Sequence, residues 1–156
     1  MPQITSQVID AYVFRKTGDG VQFLLLKRSP TQRLPNTWQA VHGHIEPPET
    51  AAHAALREIH EETALDPLRL YQIDTVHCFY VASTDTIHLS PVFAAQVAPD
   101  AEPVLNPEHA DYKWCPYDQA LAQLLWPGQK AALREIHDYL LADAPAKPYL
   151  EIPLPL

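Results

Sequence analysis

Between Gly43 and Leu65 the chain places Glu49, Arg57, Glu58, Glu61 and Glu62 among small apolar residues. No proline or glycine interrupts the stretch from Thr50 to Thr63, so a helix is expected there. Glu58 and Glu62 are four residues apart and Glu58 and Glu61 three apart, which brings all three carboxylates toward one helix face, where like charges repel. A divalent cation removes that conflict, and carboxylate oxygens suit the hard ions Mg²⁺, Mn²⁺ and Ca²⁺, of which Mg²⁺ typically also takes phosphate oxygens. The same spacing suits a solvated helix face on which Arg57 pairs with Glu61. Ala52, Ala55, Leu56, Ile59 and Thr63 form an apolar stripe on the other side, so structure and chemistry are expected on different faces.

Elements on either side must hold this helix. Gln7 to Phe14 and Val21 to Leu26, joined by Gly18-Asp19-Gly20, read as a hairpin. Ser29 to Asn36, with Pro30 and Pro35, reads as a loop, and Thr37 to His42 as a short strand that delivers the chain to Gly43. Leu70 to Ala82 and Ile87 to Val97 supply two further strands around Ser83-Thr84-Asp85. Pro99 to Pro107 reads as a loop, Tyr112 to Cys115 as a return to the sheet, Tyr117 to Leu125 as a short helix, and Pro127 as the first residue of a helix reaching about Leu141. Residues 1–143 are expected to form one domain. The tail 144–156, with Pro145, Pro148, Pro153 and Pro155, is expected as an extended arm packed on that domain or on a partner.

The acidic segment resembles the box of the Nudix hydrolase family: Gly, five residues, Glu, seven residues, Arg-Glu, apolar, any, Glu-Glu, any, Gly, apolar. Its one departure is Ala64 at the second glycine, a position past the helix where a left-handed backbone suits Gly. The resemblance implies an α/β fold, an α/β/α sandwich with a mixed central sheet between helices. It implies metal-dependent cleavage of a diphosphate linkage, with Glu58, Glu61, Glu62 and the Gly43 carbonyl on Mg²⁺ or Mn²⁺, Arg57 orienting carboxylates and Glu49 supporting the site.

Beyond the box, Trp38-Gln39 and the run Glu108-His109-Ala110-Asp111-Tyr112-Lys113-Trp114 resemble the bacterial dATP and dihydroneopterin triphosphate pyrophosphohydrolases. That likeness makes Glu108 a further metal ligand, with Asp111 in reserve, and Arg28, Trp38 and His42 substrate contacts. A nucleoside or pterin triphosphate is the expected substrate. ADP-ribose, a dinucleoside polyphosphate or a non-catalytic nucleotide-binding regulator are the alternatives, and a homodimer is compatible with the resemblance.

Composition narrows the remaining classes. A net charge of −8 disfavours a groove for DNA or RNA, which draws affinity from Lys and Arg. No run of 18 apolar residues suggests a membrane span, and the start Met1-Pro2-Gln3-Ile4-Thr5 lacks a secretory signal, so a cytoplasmic location is the default. Cys78 and Cys115 lie too far apart in sequence to suggest a zinc pair, and His60-Glu61-Glu62-Thr63 fails as a zinc-protease motif because Ala64 stands where the second histidine is needed.

Overall fold

A computed structural model describes residues 1–156 as a mixed β-sheet with helices on both faces. The strands are β1 (Gln3–Thr5), β2 (Val8–Thr17), β3 (Gly20–Arg28), β4 (Trp38–Gln39), β5 (Val41–His44), β6 (Arg69–Val81), β7 (Thr86–Val97), β8 (His109–Cys115) and β9 (Glu151–Ile152). The helices are α1 (Ala51–Thr63), α2 (Tyr117–Gln123), α3 (Pro127–Glu135) and α4 (Lys147–Leu150). The main sheet path runs β4-β3-β2-β7-β6-β9, with β1 on β7, β5 on β2 and β8 on β3.

The expected hairpin is present as β2 and β3, paired antiparallel, while β2 runs parallel to β7. Alternation along β2 sends Ile9, Ala11 and Val13 to one face and Tyr12 and Phe14 to the other. The first set joins α1 through Ala54, Ala55 and Ile59. The second meets α2 and α3 through Ala120, Ala132 and Leu133. The sheet therefore separates two cores, the layering of an α/β/α sandwich.

Several elements differ from the sequence expectation for local reasons. The strand expected over residues 37–42 is two pieces: β4 pairs with β3, and after Ala40 the chain changes partner so that β5 pairs with β2 as far as His44. Gly43 thus lies within a strand. β8 begins three residues early, at His109, because a register shift between Lys27 and Arg28 extends its pairing. The helix expected to continue to Leu141 is α-helical only through Glu135, and Ile136–Leu140 widen to a π-helical turn. The three-residue β1 carries no strand signal strong enough to read from sequence.

Along the C-terminal arm, β9 pairs antiparallel with Leu70 and Tyr71 of β6. Leu150 packs on the core beneath α2 and α3, and Ile152 and Leu154 pack on the core beneath α1. No helix is long and apolar enough to cross a membrane.

Candidate metal and phosphate site

The site is built on α1 and on the strand and loops that reach its ends. Thr50 caps α1, its hydroxyl accepting from the His53 N–H at 3.3 Å. At the other end Ala64 adopts φ 54° and ψ 21°, the left-handed conformation that ends the helix, and its N–H donates to the His60 carbonyl at 2.8 Å. The loop before β8 is tied to the same end, with Val104 N–H donating to the Thr63 carbonyl at 2.8 Å and Asn106 N–H to the Glu62 carbonyl at 3.3 Å. Those bonds hold the segment that ends in Glu108 against α1.

Arg57 is the hub. Its Nε and Nη2 hold both oxygens of Glu49, at 3.1 and 2.7 Å, and Nη1 reaches Glu58 Oε1 at 2.9 Å and Glu61 Oε2 at 3.1 Å. Nη2 also donates to the His44 carbonyl at 2.7 Å, linking α1 to the end of β5. This fork draws three carboxylates together around one cation, and it holds the Glu49 carboxyl below its ordinary range.

Gly43 is required by close approach. A Cβ built there would lie 2.0 Å from Glu58 Cδ, so the Glu58 carboxyl rests directly on the Gly43 backbone. Burial raises the Glu58 pKa, against the lowering effect of Arg57.

Glu58, Glu61 and Glu62 lie within about 100° of one another around α1, but the helix does not separate chemistry from core. Glu62, one residue beyond the exposed Glu61, turns a further 100° or so into the buried stripe with Ile59 and Thr63 and is 1 % exposed. Its Oε2 has no hydrogen-bond partner; the nearest cationic candidate is His109 Nε2 at 3.9 Å. Burial, then the charges of Glu58 and Glu108, push the Glu62 pKa up to about 9. Burial, then Arg28, pushes His109 down to about 4. Both shifts disfavour the charged form, so the contact does not act as an ion pair. A buried carboxyl with an orphaned oxygen, beside a second desolvated carboxylate and within reach of Glu108's charge, fits a divalent cation. No three His, Cys, Asp or Glu side chains converge into a complete cage by themselves.

Arg28 ends β3 with its guanidinium on the Arg33 carbonyl and on Gln39 Oε1, at 3.1 Å to the latter. Gln39 Nε2 lies 3.3 Å from His109 Nε2. Gln39 and His109, given no separate role from sequence, thus join the two dipeptides Trp38-Gln39 and Glu108-His109 behind Glu62. Trp38 and His42 point to the other face of the sheet, as pleating requires of neighbours of Gln39 and Gly43. Trp38 packs on the α2–α3 core, with Lys113 Nζ 4.1 Å and Lys27 Nζ 5.9 Å from its ring centroid.

His42 meets a group that sequence reading missed. Asp10, 3 % exposed on β2, holds His42 Nδ1 through Oδ1 at 2.9 Å and His77 Nδ1 through Oδ2 at 3.2 Å, and Oδ2 also accepts from Ser90 at 3.0 Å. An aspartate in the middle of a buried strand pattern was the available signal. Burial favours its neutral form, but the two imidazoles outweigh that effect and hold its pKa well below the usual range. His42 is shifted upward, the pull of Asp10 exceeding the opposing effect of burial.

Comparison with known proteins gives one family. Residues 6–136 match the NUDIX domain. An asymmetrical bis(5'-nucleosyl)-tetraphosphatase from Sus scrofa is 32% identical over 126 residues, covering 80% of this chain and 84% of that protein. The dihydroneopterin triphosphate diphosphatase of Escherichia coli K12 is 30% identical over 108 residues, 62% of this chain and 69% of that protein. An octanoyltransferase from Myxococcus xanthus is 30% identical over 130 residues, 82% of this chain, but the match spans only 36% of its length. Among solved structures, a Listeria monocytogenes NUDIX structure superposes with a TM-score of 0.75 at 26% identity, covering 89% of this chain and 97% of that one. A Caenorhabditis elegans Ap4A hydrolase complex gives 0.74 at 23% identity, covering 88% and 99%, and shows likeness of fold.

Proposed function

Because the chain belongs to the NUDIX hydrolase family, we propose that it is a divalent-metal-dependent pyrophosphohydrolase that cleaves a nucleoside or pterin triphosphate into a monophosphate and pyrophosphate. The observation that carries this reading is Glu62: a buried carboxyl with an unpartnered oxygen, set beside Glu58 and within the field of Glu108. Glu58, Glu62, Glu108, Glu61 and the Gly43 carbonyl are the oxygens that would hold Mg²⁺ or Mn²⁺. When bound, such an ion supplies a more acidic water and neutralises charge on phosphoryl oxygens. Arg57 keeps Glu58 and Glu61 in place, and one of these two accepts the proton of the attacking water. Glu49 fixes the far side of the Arg57 fork. Arg28, on the same side as the carboxylates, is the cation available to a phosphate oxygen.

The triphosphate reading is supported by the junction of Gln39 and His109 behind Glu62, because it joins the two dipeptides that resemble the dihydroneopterin triphosphate enzymes. A dinucleoside polyphosphate is the second reading. It is favoured by the longer match to the tetraphosphatase from Sus scrofa and by two lysines, neither in an ion pair with an acid, flanking Trp38.

Release of phosphate and pyrophosphate from dNTPs, dihydroneopterin triphosphate, ADP-ribose and diadenosine tetraphosphate, with Mg²⁺ and Mn²⁺ added separately, decides between them. Preferred turnover of a triphosphate with pyrophosphate release supports the first reading, and cleavage of the tetraphosphate into a mono- and a triphosphate supports the second. Binding without turnover of any of them identifies a regulator and overturns both.

A further inference from the structure

Beyond the body of the sheet, residues 76–81 of β6 and 86–91 of β7 continue as a hairpin, and β1 adds a third strand parallel to β7. Register places Val76 opposite Pro91, Cys78 opposite Leu89, Tyr80 opposite Ile87 and Ile87 beside Ile4. Alternation turns all seven to one face. None of them belongs to, or packs against, either hydrophobic core. Ile4 is 69 % exposed, Tyr80 56 % and Val76 51 %, Cys78 is also exposed, and Ile87, Leu89 and Pro91 are half-covered. The reverse face is differently made: Phe79 stacks on His88 and meets His77 at a tilt, and Ser90 joins Asp10.

Sheet faces of this kind are covered in stable proteins, and the chain itself supplies no cover. The exposed apolar area is on the order of 500 Å², the size at which a patch on a monomer marks a binding surface. We propose that this face is the interface of a two-fold homodimer, in which the β1-β7-β6 extensions of two copies pack face to face. Two observations favour a second copy over another partner. The seven residues carry no charge, so they offer nothing for an ionic partner to recognise, and two chains of net charge −8 meet there through uncharged side chains. The apolar face alone, taken twice, buries about 1,000 Å², the lower bound of a specific interface, and a rim around it brings the total into the ordinary range. Tyr80 is set for such packing, its hydroxyl held by Asp85 Oδ1 at 2.8 Å so that the ring is fixed.

The test is the mass of the full chain by sedimentation and light scattering from roughly 1 to 200 µM, a span that brackets micromolar affinity. A rise from monomer to dimer over that range, or a dimer throughout, is expected. Val76→Lys/Tyr80→Lys, at two exposed positions, should be monomeric with an unchanged circular dichroism spectrum. Cys78, in the middle row of the face, gives a second measurement, since Cys115 is buried and reacts slowly. Its maleimide reaction should slow at least about tenfold from the monomeric to the dimeric concentration in the wild type and stay constant in the lysine variant. A monomer at all concentrations overturns the proposal, as does a dimer that survives both substitutions or leaves Cys78 equally reactive.

Discussion

At the scale of single residues, the site depends on a carboxyl that the fold holds at a cost. Glu62 has a folded pKa of about 9 against an ordinary value of 4.5. A raised carboxyl pKa means that its contribution to stability is complete below about pH 4.5 and is lost as pH rises toward 9. Metal-free wild type should therefore melt at a lower temperature at pH 8.5 than at pH 5, and Glu62→Gln should flatten that difference. The same variant should lose about 10²-fold or more in metal-dependent turnover and most of the thermal shift caused by Mg²⁺. Unchanged turnover would remove Glu62 from the site. Asp10 makes the opposite case, a buried carboxylate that two imidazoles hold ionised. Its depressed pKa contributes stability above about pH 3.8, lost on acidification, while the raised pKa of His42 contributes below 6.5, lost as pH climbs past its folded value. Asp10→Asn should cost about 2 kcal/mol or more, greatest between those limits, and chemical denaturation at pH 5.5 and 9 measures it.

At the scale of elements, α1 works because both its ends are fastened. Thr50 and Ala64 cap it, the Arg57 fork ties it to β5, and the loop before β8 is bonded to its last turn. Ala64 is the weak point, since a left-handed backbone at a residue with a Cβ costs about 1 kcal/mol relative to glycine. Ala64→Gly should raise the melting temperature by roughly 2–4 °C and leave turnover within about twofold, because no site carboxylate moves. A fall in melting temperature would mean that the conformation is not strained.

At the scale of the whole molecule, the sheet is a partition. One face carries α1 and the carboxylates, the other carries Asp10, His42 and the α2–α3 core, and the C-terminal arm crosses between them through Leu150, Ile152 and Leu154. Deleting residues 144–156 removes three apolar side chains from the edges of the two cores and one edge pairing. A loss of about 3 kcal/mol, seen as a drop on the order of 10 °C in melting temperature, is expected, with metal affinity retained by the folded fraction. A truncated chain as stable as the full one would show that the arm contributes nothing to either core.

The identities and spacing of Gly43, Glu49, Arg57, Glu58, Glu61 and Glu62 pointed to the helix, the family and its diphosphate chemistry, because helical period and residue type are local properties. The main strands were legible for the same reason. The burial of Glu62 was not, since its place among Ile59 and Thr63 depends on how α1 is rolled against β2. Nor was the ring of Asp10, His42, His77 and Ser90, whose members lie on four strands up to 80 residues apart. Register alone brings them together, and register is set by long-range pairing. The chain's sequence thus named the family and the candidate residues; only the tertiary structure decided which of the carboxylates are buried, which face each side chain serves and which apolar face is left uncovered.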